Sequence, residues 1–103
     1  MEITLQYFDG CPNWKATDAD LKTLVAVQGL DVTVRHQVIN TSEAAMQYGF
    51  RGSPTVLVDG VDPFADPDTP VGLACRIYTT EDGPAGSPSP AQLAAALTGA
   101  ARD

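Results

Sequence analysis

Only two cysteines and one histidine occur in this chain of 103 residues. That is too few for a structural zinc site of the usual four nitrogen and sulfur ligands. Basic residues are scarce as well: six stand against thirteen acidic ones, for a net charge of −7. No basic run offsets this, so a nucleic-acid phosphate backbone or an anionic membrane surface is repelled. Long apolar runs are missing. No segment approaches the ~20 apolar residues of a spanning helix. Met1-Glu2-Ile3-Thr4 lacks the basic and apolar regions of a secretory signal. These absences predict a cytoplasmic protein without membrane or nucleic-acid partners. In that compartment two cysteines argue against a permanent structural disulfide. What is present suffices for a core: 44% of the residues are hydrophobic. With no repeat and no linker, residues 1–103 read as a single domain.

Ile3 to Phe8 has apolar residues on both faces and reads as a central strand. Asp9-Gly10 is a turn. Asn13 to Gln28 is helical in pattern, with Trp14, Leu21, Leu24, Val25 and Gln28 near one face and Gly29 as its stop. Asp31 to Ile39 alternates polar and apolar and reads as an edge strand. Thr41-Ser42 caps a short helix that Gly49 closes. Val56 to Val58 is a short buried strand. Residues 61–74 are rich in Pro, Asp and Gly and form a long loop, and Cys75 to Thr80 is a last strand. Ser89-Pro90-Ala91-Gln92 is a capping box with proline at the first helical position. It opens a helix that turns Leu93, Leu97 and Ala100 or Ala101 inward. The order is β-α-β-α-β-β-α. The first βαβ unit requires parallel strands, and the last two strands pair antiparallel across the loop.

The sequence Tyr7-Phe8-Asp9-Gly10-Cys11-Pro12-Asn13-Trp14 places a thiol between a strand and a helix. Helix N-termini favour a thiolate, and Pro12 suits the first helical position. A C-x-x-C pair carries its second thiol three residues after the first, where this chain has Trp14. Together with Gly52-Ser53-Pro54-Thr55 at the start of the third strand, this motif resembles the thioredoxin-like superfamily over nearly the whole chain. The resemblance implies an α/β thioredoxin-like fold, with a mixed four-stranded sheet flanked by helices. It implies a cis bond before Pro54, which faces Cys11, and a backbone at Ser53 that binds extended thiol substrates. The runs FDGCPNW, GFRGSPTVLVDGVDPF and GLACRIY are similar to a family of small bacterial thioredoxin-like proteins, some of them called alkylmercury lyase-like.

The expected catalytic residues are Cys11 and Cys75, and the expected substrate-binding residues are Trp14, Ser53 and Pro54. Cys11 is the nucleophile. Cys75 is either a core residue of its strand or a resolving thiol. A simple hairpin places it at the end of the sheet away from Cys11, beyond the ~7 Å Cα limit for a disulfide, unless loop 61–74 folds back. Trp14 is a core aromatic or the wall of a thiol pocket. His36 is a strand residue. Arg51 and Asp9 flank the site. Asp59, Asp62, Asp66 and Asp68 fit Asp-Pro turns better than a calcium loop.

The expected function is that of a monothiol redox protein. Cys11 attacks a disulfide, a peroxide or another electrophile, and a low-molecular-weight thiol or a protein thiol is the partner. Oxidation then yields a mixed disulfide or a sulfenic acid. The alternatives are soft-metal or organomercurial handling and a non-catalytic binding module. No cofactor and no resident metal are expected.

Overall fold

The structure, a computed structural model, describes residues 1–29 and 31–102, without the side chains of residues 100–102. The order is β1 (Glu2–Tyr7), α1 (Trp14–Gln28), β2 (Thr33–Val38), α2 (Ser42–Tyr48), β3 (Thr55–Val58), β4 (Tyr78–Thr80), β5 (Gly83–Ala85) and α3 (Pro90–Arg102). β1 lies between β2, which is parallel to it, and β3, which is antiparallel. Its apolar residues on both faces suit that central place. β2 is the edge strand and is mostly exposed. The register sets Leu5 opposite both His36 and Val56, and Gln6 opposite Thr55. The C-terminal end of β1 therefore meets the N-terminal end of β3.

The helices stop and start where local chemistry directs. Gly29 takes the left-handed conformation after α1, with φ 60°, and its N–H donates to the Val25 carbonyl. The Thr41 hydroxyl accepts from the Ala44 N–H at 3.0 Å and caps α2. The capping box of α3 is complete. The Gln92 N–H donates to Ser89 Oγ at 3.1 Å, and the Ser89 N–H donates to Gln92 Oε1 at 2.9 Å. One expected start differs. Regular α1 begins at Trp14, so Pro12 is not its first residue. Lys15 donates to the Pro12 carbonyl at 3.2 Å, and this i→i+3 turn leads into the helix.

Odd-numbered β1 residues Ile3, Leu5 and Tyr7 form one core cluster with Leu21, Val56, Val58, Leu93 and Leu97. A second cluster joins Ile39, Ala45 and Phe50, with Phe8 packed against it. On α1 the buried residues are Thr17, Asp18 and Leu21, while Gln28 is exposed. The expectation for Ala100 or Ala101 lies outside the described side chains.

The expected four-stranded sheet is not present. Among the described residues the sheet around β1 has three strands, and β4 pairs with β5 in a separate two-stranded hairpin. The cause lies in the path after β3. Asp59 and Gly60, with φ 50° and 85°, reverse the chain so that Val58 and Val61 exchange backbone hydrogen bonds. The hairpin then stops. Pro63, Pro67 and Pro70 lack the N–H a ladder needs. The carboxylates of Asp62 and Asp66 accept from the N–H groups of Phe64 and Asp68 at 2.8 and 2.9 Å, and bend the backbone into turns instead. The chain returns along the sheet, and Cys75 bridges Ser53 in parallel orientation.

Asp18, on the inner side of α1, bonds His36 Nε2 at 2.8 Å and Lys22 Nζ at 3.0 Å. Burial acts to raise its pKa, but the hydrogen bonds and charges of His36 and Lys22 outweigh burial and hold it below 3.8. A carboxyl with a depressed folded pKa contributes stability above its unfolded value and loses it as pH falls through the folded one. Asp18→Asn is therefore expected to flatten the loss of stability below pH 3.8. Urea unfolding across that range checks this.

Candidate functional site

The residues that carry chemistry converge at the junction of β1's end and β3's start. Cys11 follows β1 by four residues, and its N–H donates to the Phe8 carbonyl at 3.2 Å. It is fully buried. Cys11 Sγ lies 3.6 Å from the Ser53 carbonyl oxygen, within reach of an S–H donor when reduced. Ser53 and Pro54 are buried too, and the bond between them is cis.

Cys75 is not at the far end of the sheet. It is disulfide-bonded to Cys11, with Cα atoms 5.9 Å apart. The hairpin expectation fails because loop 61–74 folds back. The two sulfurs differ sharply in surroundings. Cys11 has no exposed surface, whereas Cys75 is an exposed residue.

Backbone pairing independent of the sulfurs holds Cys75 in place. The Ser53 N–H donates to the Ala74 carbonyl at 2.8 Å, and the Arg76 N–H donates to the Ser53 carbonyl at 2.9 Å. The Gly72 N–H donates to the Phe50 carbonyl at 3.0 Å. Ser53, expected to offer its backbone to a substrate, spends it on residues 74–76 of its own chain. Its hydroxyl is buried and has no hydrogen-bond partner among the described residues.

Side chains lock the same segment. Arg76 is buried and pairs with Asp62 Oδ2 at 2.8 Å. It also donates to the Phe64 carbonyl and to Thr55 Oγ1, and its guanidinium sits 4.7 Å from the Tyr78 ring centre. The Tyr78 hydroxyl donates to the Pro54 carbonyl at 2.5 Å. Burial pushes the Tyr78 pKa far above the ordinary tyrosine range. The Arg76 charge opposes that shift and the Asp62 charge adds to it. The phenol therefore remains a neutral donor. Arg51 donates to the carbonyls of Pro67 and Thr69 and fastens the returning loop.

Sequence reasoning missed Arg76, Tyr78 and Asp62 in this role. The only signal was a charged residue set in the apolar run after Cys75. Trp14 lies stacked on Tyr7, with ring centres 4.1 Å apart, and edge-on to His36 at 5.8 Å. It packs against the main core cluster, as its core reading has it. Asp9 is bound to Asn40, whose side chain donates to its carboxylate at 3.0 Å.

A cleft of about 320 Å³ opens beside Cys75, lined among others by Arg51, Asp68, Pro70, Ala74 and Ile77. A hollow of about 270 Å³ beside Phe64 and Tyr78 adjoins it across Thr69, Arg76 and Ile77, and one of about 410 Å³ lies between Val61 and Ala96; neither is lined by a cysteine. Among the described residues, no three His, Cys, Asp or Glu side chains gather as a metal site. No helix among them is long and apolar enough to cross a membrane. Comparison with protein-family models, curated proteins and solved structures found no match for this chain.

Gly52 is where the close approach is tightest. Its φ is +122°, and a Cβ there falls 2.9 Å from Arg76 Cβ. Gly52→Ala is expected to cost roughly 1–3 kcal/mol, with Gly99→Ala, in open space on α3, neutral or stabilising. Arg76→Ala leaves Asp62 without its partner and is expected to cost roughly 3–5 kcal/mol. Urea denaturation of the three variants measures both effects.

Proposed function

We propose that the protein is a thiol–disulfide redox protein of thioredoxin-like type that cycles between a Cys11–Cys75 disulfide and the dithiol. The observation that carries this reading is the docking of residues 74–76 on Ser53 by contacts that need no sulfur–sulfur bond. A reduced pair held this way stays adjacent. Closure is then intramolecular, and proximity favours it over capture by an outside thiol. The parallel β1–α1–β2 unit, the antiparallel β3 and the approach of Ser53 to Cys11 support the thioredoxin-like assignment.

The monothiol form of the reading assumed a remote Cys75, and that assumption is gone. With Cys75 alongside, a sulfenic acid or mixed disulfide on either sulfur is resolved within the chain. The binding-module reading loses support, because residues 74 and 76 already fill the Ser53 backbone. Soft-metal handling gains from two neighbouring thiolates, which suit soft cations. Among the described residues, a site of that kind has the two sulfurs and no cluster of three or more His, Cys, Asp or Glu ligands.

The test is a titration of the native protein in glutathione redox buffers, followed by thiol trapping and intact mass. The reading predicts full, reversible conversion between dithiol and internal disulfide, with the far-ultraviolet circular dichroism unchanged. Unfolding on reduction contradicts it and makes the bond a structural staple. Limited peroxide is expected to give the internal disulfide; a stable mixed disulfide in the presence of glutathione contradicts that.

A further inference from the structure

The redox reading leaves open which sulfur meets the partner. We infer that an incoming low-molecular-weight thiol attacks Cys75 Sγ, and that Cys11 is the leaving and resolving sulfur. This rests on the redox reading above and reverses the expectation that Cys11 leads.

Three observations carry the assignment. Cys11 is fully buried and Cys75 is exposed. Attack on a disulfide sulfur requires access along the line of the bond, and burial denies that at Cys11. The cleft of about 320 Å³ is lined by Cys75 and not by Cys11. Its volume falls at the lower end for small-molecule sites and suits a small thiol. Last, Cys11 Sγ faces the Ser53 carbonyl, an acceptor that can receive an S–H but offers nothing to a thiolate. Buried and so placed, Cys11 suits the resting thiol of the pair better than the outward nucleophile.

The chemistry balances with thiol as reductant. A thiolate enters the cleft and its sulfur bonds to Cys75 Sγ. The Cys11–Cys75 bond breaks, its electron pair goes to Cys11 Sγ, and Cys11 takes up a proton. A second thiolate then attacks the partner-derived sulfur of the mixed disulfide. This frees Cys75 as a thiolate and releases the small disulfide. Two thiols are oxidised to one disulfide while the protein disulfide is reduced to a dithiol. In reverse, Cys75 attacks a small disulfide and Cys11, once deprotonated, displaces the remaining thiolate to close the pair.

Two measurements test this. In the first, oxidised wild-type protein is mixed with glutathione, quenched in acid within the reduction phase, and mapped by peptide mass. The adduct is expected on Cys75, in excess over Cys11 by about tenfold or more. Equal adducts, or a majority on Cys11, overturn the assignment. In the second, Cys11→Ser and Cys75→Ser are each reacted with dithionitrobenzoate, with circular dichroism confirming that both are folded. Cys75 in the first variant is expected to react about tenfold or more faster than Cys11 in the second. Similar rates overturn the assignment. If the wild-type pair resists glutathione, the redox reading fails. The single-thiol rates still decide which sulfur is accessible.

Discussion

Two backbone hydrogen bonds between Ser53 and the segment 74–76 organise this end of the molecule. A strand edge is a row of unpaired donors and acceptors, and something must satisfy it. Here the chain's own return path does so. The same pairing fixes Cys75 against the turn that carries Cys11, and it places Arg76 inside, where Asp62 and the Phe64 carbonyl neutralise and bind it. Gly52 is the conformational condition for that approach, since both its φ and the nearness of Arg76 exclude a side chain.

The disulfide and the docking are separate contributions. A crosslink spanning 64 residues restricts the unfolded chain by about 4 kcal/mol in the chain-entropy picture. The docking acts on the folded state, through backbone bonds and an ion pair that do not pass through the sulfurs. A protein that depended on the bond alone would change shape on reduction. One that docks the segment independently would keep its two thiols together on reduction, as the proposed redox cycle requires.

The regular elements were legible in the sequence because their signals are local. Gly29 and Gly49 end helices, Thr41 starts one, and the Ser89–Gln92 box starts another; each acts within one turn of chain. The apolar composition of Ile3 to Phe8 indicated a central strand, and the meeting of Cys11 with Ser53 was what the thioredoxin-like resemblance implied. The path of residues 61–74 was not legible. Asp62 and Asp66 announce turns but not their direction. The direction is set by Arg76 and Arg51, which reach across 12 to 18 residues to bond loop atoms. Arginine in sequence reads as surface. Its burial appears only once Asp62 and the Tyr78 ring surround it. That one missed return path accounts for both the absent fourth strand and the misplaced Cys75.

The account stands on the claim that residues 74–76 stay docked without the disulfide. Amide hydrogen exchange of the reduced protein, resolved at Ser53 and Arg76, measures it directly. The account predicts that both amides remain protected, close to their level in the oxidised protein. Exchange of both at the rate of an open loop after reduction, with β1 and β3 still protected, would contradict it.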